Sequence, residues 1–329
     1  MLRLAIRFVT AALVVITLSL TTAAGPKQTA ASVIAPPQAD VDALVTRFVT
    51  AADEYHKVFL NLTAVETRLI EIFDQSGGVD KRREIISDLV VYQPPRDPGD
   101  PEVLPWQATT EYRDVRSVDG KAITKRSVRA LELVTRASQS NTIKKELEAI
   151  DRESARYDLN YRLFGSTYQN GLMLRERQKF RIDWAGRDQV NGHDVVVLDY
   201  QEIAPNRNNP DKSFYEQYGF SASLVRGRLW IDVKTAQLRR EQWEFAGVHP
   251  ALPQPVTVVR REATYVESRF GVLVPDRVVL EMYAPAKQKK KQPPAFFRGA
   301  RATCAFKEFR PFEVTTQQTI ATPAAPPSK

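Results

Sequence analysis

Apolar and polar residues alternate with a period of two through most of this chain, and the pattern predicts a wide sheet of roughly ten antiparallel strands. The clearest stretch is Leu224 to Phe245, LVRGRLWIDVKTAQLRREQWEF. Two runs of strand formers flank Val233-Lys234-Thr235-Ala236, a short polar segment suited to reversing the chain. That turn predicts Asp232 opposite Gln237, Trp230 opposite Arg239, Arg228 opposite Glu241 and Arg226 opposite Trp243. One face would then be mixed aromatic and cationic, where opposed side chains pair by charge and cation–π contact. The other would carry Val225, Leu229, Ile231 and Leu238, diluted by Arg240, Gln242 and Glu244. A slip of one residue along the whole pair would bury more charge, so the pattern favours this register.

The remaining elements follow in order. Val41, Leu44, Val45, Phe48, Ala52, Tyr55 and Phe59 recur at helical spacing and predict a helix opening at Asp40, whose carboxylate suits an N-cap. Strands are expected from Leu60 to Phe73, from Lys81 to Tyr92 and from Trp106 to Val118. Prolines between the last two exclude a central strand there. Residues Arg126 to Tyr157 read as the central helical block, and Gly171 to Leu174 as a single turn. Asn191-Gly192 centres a hairpin from Gln178 to Ile203, with Val190 opposite His193, Arg181 opposite Glu202 and Trp184 opposite Asp199. Further strands run from Val256 to Glu267, from Leu273 to Tyr283 and from Ala300 to Phe312. Residues 40–313 are thus expected to form a single mainly β (α+β) domain, followed by a Thr/Gln/Pro/Ala tail at 314–329 that is expected to be disordered.

The start of the chain changes the picture of where it works. Arg3 and Arg7 precede an apolar run from Phe8 to Leu20, then small residues to Gly25, the layout of a secretory signal peptide over residues 1–24. The run falls short of the about 20 apolar residues that a membrane span needs. Residues 25–39 read as a loose leader. No cysteine follows the apolar run, so no lipid attaches there, and a periplasmic or secreted product is expected. The formal charge of +8 becomes +6 when the two arginines of the leader are lost. Lys287, Lys289, Lys290 and Lys291 crowd one loop. They would contact an anionic lipid surface, or else form a solvated loop that discourages edge association.

Candidate chemistry subtracts more than it adds. The one cysteine, Cys304, excludes an intrachain disulfide and a cysteine-based metal cluster. His56, His193 and His249 lack metal-ligand spacing, and no nucleophile elbow, HExxH or phosphate-binding loop occurs. No catalytic residue, metal or cofactor is assigned, and the chain reads as a non-enzyme. Trp184, Trp230 and Trp243, with Arg226 and Arg239 beside them, are the candidate ligand-lining residues; ordinary sheet packing is the other reading of the three indoles.

Trp230-Ile231-Asp232 with Thr235 and Leu238-Arg239-Arg240, then Gly271-Val272-Leu273-Val274-Pro275, resembles the outer-membrane lipoprotein-sorting and carrier superfamily. The ending Arg301 to Phe312, RATCAFKEFRPF, is similar to its closing strand. Tyr112 to Val115, Val118 to Lys121 and Glu153 to Tyr157 are similar to exported acidobacterial proteins. The resemblance implies a curved antiparallel half-barrel with a helical lid, enclosing an apolar cavity for acyl chains. It implies a lipid or acylated envelope molecule as partner. A structural module binding a protein along a sheet edge, and a hydrolase with an unrecognised site, are the alternatives.

Overall fold

The protein's computed structural model describes residues 35–58, 61–92, 110–124, 129–135, 140–159, 161, 167, 169–207, 218–287 and 294–312. Helix α1 spans Gln38–Val58. Strands β1 (Asn61–Phe73), β2 (Val79–Tyr92), β3 (Thr110–Val118) and the two-residue β4 (Lys121–Ala122) follow. Helices α2 (Ala130–Thr135) and α3 (Ser140–Ser154) come next, then 3₁₀ segments at Ala155–Tyr157 and Asn170–Lys179. The chain ends in β5 (Phe180–Val190), β6 (His193–Glu202), β7 (Ala222–Asp232), β8 (Leu238–Val248), β9 (Val256–Val266), β10 (Val274–Pro285) and β11 (Phe296–Pro311). All eleven strands form one curved, unclosed antiparallel sheet in the order β4-β3-β2-β1-β11-β10-β9-β8-β7-β6-β5. The half-barrel expected from the sequence is present.

Helix α1 forms where the periodicity placed it, starting two residues before Asp40. Val41, Val45, Phe48, Ala52 and Tyr55 recur every three or four residues and are all buried in the main core, as one apolar stripe must be. We call the sheet face that receives them the inner face. The Phe48 ring sits where a Cβ on Gly171 would stand 2.7 Å from it, so only glycine lets the 3₁₀ segment close onto the helix. Arg47 ties the helix to the β7–β8 turn through the carbonyls of Val233 and Lys234 (3.4 and 3.1 Å).

The central helices cover the opposite, outer face. Leu133, Val134, Ile143, Leu147 and Ile150 pack on Val90, Tyr92 and Tyr112, which alternate with the inner-face residues Leu89 and Val91. Helix α3 also completes the sheet edge. The Arg113 backbone N–H donates to Asp151 (3.0 Å) and that of Val115 to Ser154 (3.3 Å), so β3 hydrogen bonds that a further strand would take are met by side chains. At the other edge, β5 exposes Arg181, Asp183, Arg187 and Asp188.

The Asn-Gly hairpin forms as expected: Asn191 and Gly192 adopt φ of 52° and 79°, and Val190 faces His193. Two expected registers are corrected further along. In the β5–β6 pair, Ala185 is an extra residue, so Trp184 faces Leu198 and Arg181 faces Gln201. In the β7–β8 pair, the turn is read correctly, for the Asp232 N–H donates to the Gln237 carbonyl (2.9 Å). Ile231 then faces Leu238, but Arg239 is skipped, and Trp230 faces Arg240, Arg228 faces Gln242 and Arg226 faces Glu244. The slip that would bury charge if applied to the whole strand is confined to a bulge. It keeps Leu238 inside and moves Arg240, Gln242 and Glu244 outside.

Candidate functional site

The two bulges decide which side chains line the inner face. Beyond Arg239, Trp243 and Phe245 turn inward beside Val225, and beyond Ala185, Trp184 and Ile182 do the same. The strip continues through Val259 on β9 and through Leu280 and Met282 on β10. Each of these eight side chains is half-buried, whereas the residues under α1, such as Leu229, Ile231 and Tyr265, are fully buried. The inner face therefore has two parts: a half filled by α1, and a half-exposed apolar strip across β5 to β10.

Between the two parts lie buried polar groups. Tyr200, Gly227, Trp243 and Arg261 follow one another across β6 to β9. Arg261 donates to Glu241, which also accepts from the Tyr265 hydroxyl (3.1 Å) and the Gly171 N–H (3.3 Å). Nearer β3, Arg113 donates to Glu66 (2.7 and 3.2 Å) and to Glu111 (3.0 Å), and Arg68 to Asp158 (2.6 Å). Burial pushes the Glu66 carboxyl up, but the charges of Arg113 and Arg68 outweigh it and hold it below the usual range. Burial and the neighbouring Glu66 drive the Cys304 thiol well up, so it stays protonated. Glu111 accepts from Thr167, whose carbonyl accepts from the Tyr55 hydroxyl (2.5 Å), so this network anchors α1. The Glu66 carboxylate, held this firmly by guanidinium groups, is a poor proton carrier. Among the described residues, no cluster of three or more His, Cys, Asp or Glu side chains could hold a metal.

The five ligand-lining residues expected from the sequence do not share a face. Trp184 and Trp243 line the inner strip. Trp230 stands on the outer face, packed with Val195 and Val197 and flanked by the guanidinium groups of Arg240 (4.5 Å) and Arg228 (5.9 Å). Arg226 is also outside, donating to Glu244 (2.8 Å). Arg239, at the bulge, is locked to Asp232 (2.9 Å) and Glu267 (2.8 Å) and lies against His193 Nδ1 (3.1 Å). Burial raises the Asp232 carboxyl, but hydrogen bonds from the Thr235 N–H and Arg239 outweigh it, and its pKa is lowered. Lys287 is exposed just past β10; Lys289, Lys290 and Lys291 lie outside the described residues, as does the expected signal peptide.

The outer face carries a charged groove of about 500 Å³ lined in part by Asp199, Arg226, Arg228 and Glu244. Its charges are matched. Arg228 grips Asp199 with two hydrogen bonds (2.6 and 2.8 Å), and Glu244 takes both Arg226 (2.8 Å) and Arg260 (2.7 Å). Burial raises the Glu244 carboxyl, yet these two arginines hold it below the usual range. This alternation of charge runs on through Glu281, Arg301 and Glu71 on β10, β11 and β1, as a cross-strand ladder that ties strands together.

Tyr200, Gly227, Glu241 and Arg261 were not singled out from the sequence. Gly227, a glycine inside an otherwise regular strand, was the available signal, because such a position marks a close approach. No family model matches the chain, and no curated protein matches it. Among solved structures, the chain is similar to a DUF1329 family protein from Desulfovibrio piger (10% identity, TM-score 0.33, covering 82% of this chain and 92% of that one). It is similar to a putative outer membrane lipoprotein-sorting protein domain from Vibrio parahaemolyticus (12%, 0.31, 83% and 93%). It is also similar to a LolA superfamily protein from Nitrosomonas europaea (12%, 0.30, 82% and 94%).

Proposed function

We propose that this is an exported envelope protein that holds an apolar or amphiphilic molecule against the inner face of its sheet, without chemically changing it. The observation that carries this reading is the apolar strip that α1 leaves half-exposed, with Trp184, Trp243, Phe245 and Met282 among its members. Aromatic and aliphatic groups lining one face form the kind of surface on which small apolar ligands bind, and each CH₂ buried there contributes about 0.8 kcal/mol. The outer groove competes poorly, because its arginines and carboxylates already satisfy one another. Strand addition by a protein partner is disfavoured at both edges: α3 occupies the β3 edge, and β5 carries charges and a bulge.

Native mass spectrometry of the protein purified from its own envelope tests the reading. A co-purifying species of lipid mass, released on unfolding, is the expected result. Protein that emerges bare, and that takes up no amphiphile on incubation with total envelope lipid, would refute it.

A further inference from the structure

The strip and its buried border hold three hydrogen-bond donors with nothing to bind among the described residues. The Tyr200 hydroxyl and the Nε1 atoms of Trp184 and Trp243 are all sealed from solvent and have no partner among the described residues. Tyr200 itself is only 2% exposed. Its ring lies across Gly227: a Cβ at that position would stand 2.5 Å from the phenol oxygen. The next side chain along the same row is Trp243. Gly227 thus admits the Tyr200 phenol over its own backbone, beside Trp243 and next to Val225 and Phe245 on the adjacent row. Unpaired buried donors are costly, and native proteins rarely keep several together unless something satisfies them.

Resting on the binding reading above, we propose that Tyr200, Trp184 and Trp243 form a donor set for the carbonyl oxygen of an acyl ester or amide, whose chain lies along the apolar strip. An indole N–H donates and cannot accept, so the group received must be an acceptor. Burial raises the Tyr200 phenol, which remains a neutral donor. The neighbouring cation, Arg261, is engaged by Glu241, so the row offers no spare positive charge to a carboxylate or phosphate. A neutral carbonyl matches neutral donors; an alkane would leave them unpaired, and a simple ether offers only one weaker acceptor oxygen.

Displacement of diphenylhexatriene by 1-lauroylglycerol and by 1-dodecylglycerol separates the donor set from the strip, since the two ligands differ by one carbonyl. The wild type should bind the ester about three- to tenfold more tightly, the range of one net hydrogen bond. In Tyr200→Phe the ester-to-ether ratio should fall toward one. The thermal midpoint of the empty protein should rise, because an unpaired hydroxyl is removed from an unchanged ring. Trp243→Phe, which removes an indole N–H and keeps an aromatic ring, should lower the ratio in the same way. If both ligands displace the probe equally in the wild type, or the ratio survives both substitutions, the donor set is refuted while the apolar strip stands. If neither ligand displaces the probe, the binding reading fails and this inference with it.

Discussion

Trp230 and Trp243 belong to one hairpin yet face opposite sides of the sheet, because Arg239 enters β8 as one extra residue between them. Trp230 packs with Val195 and Val197 under two guanidinium groups, and Trp243 reaches the inner strip. The two indoles should therefore respond differently to loss. Trp230→Ala should cost about 3–5 kcal/mol of stability, as for other large buried aromatics, and leave amphiphile affinity intact. Trp243→Ala should cost less stability and weaken amphiphile binding. Urea midpoints paired with amphiphile titrations of the two variants decide it; equal midpoint losses with unaltered binding would count against the assignment.

The bulge itself is held by an ion pair whose two side chains are each 4% exposed, Arg239 with Asp232. Removing one partner of such a pair strands the other charge. Arg239→Ala should lower stability by about 3–5 kcal/mol, and Arg239→Lys should recover only part, since an ammonium lacks the fork that spans Asp232 and Glu267. Denaturant unfolding of both variants measures this. A full rescue by lysine would show that charge alone suffices.

His56 supplies an acid sensitivity of known sign. The imidazole is buried at the end of α1, edge-on to Tyr55, and burial lowers its pKa to about 4 from the ordinary 6.5. The unfolded chain takes up the proton first, so the stability from keeping this ring neutral is complete above pH 6.5. It is lost as pH falls toward 4, by an amount on the order of 3 kcal/mol. Stability measured from pH 7 to 4.5 should fall in the wild type and stay flatter in His56→Gln. Parallel curves would remove His56 as the cause.

If the Lys287 loop touches an anionic surface, replacing Lys287, Lys289, Lys290 and Lys291 with Gln should weaken binding to anionic phospholipid vesicles, by about 1 kcal/mol for each lysine that reaches the surface. Raising the salt concentration should weaken the wild type similarly. Flotation with vesicles at low and high salt reads both effects. Binding unaltered by the substitutions would leave the loop as a solvated one.

The sequence by itself determined the class and order of the elements. Period-two alternation set the strands, a 3–4 spacing of apolar residues set α1, and Asn191-Gly192 fixed a turn whose positive φ values few other residues accept. It also placed Val225, Leu229, Ile231 and Leu238 on one face, as the structure has them. What the chain alone could not decide was where alternation breaks. An extra residue at Arg239 leaves only a dilution of the apolar face by Arg240, Gln242 and Glu244, which does not say where the alternation changes phase, because its cost is local and its gain is distant. At Arg239 the gain comes from Asp232 seven residues earlier, from Glu267 on the next hairpin and from the match of Arg226 with Glu244. Those partners meet only when the strands are assembled. The faces of Trp184, Trp230 and Trp243, and with them the composition of the candidate site, were therefore settled by tertiary contacts.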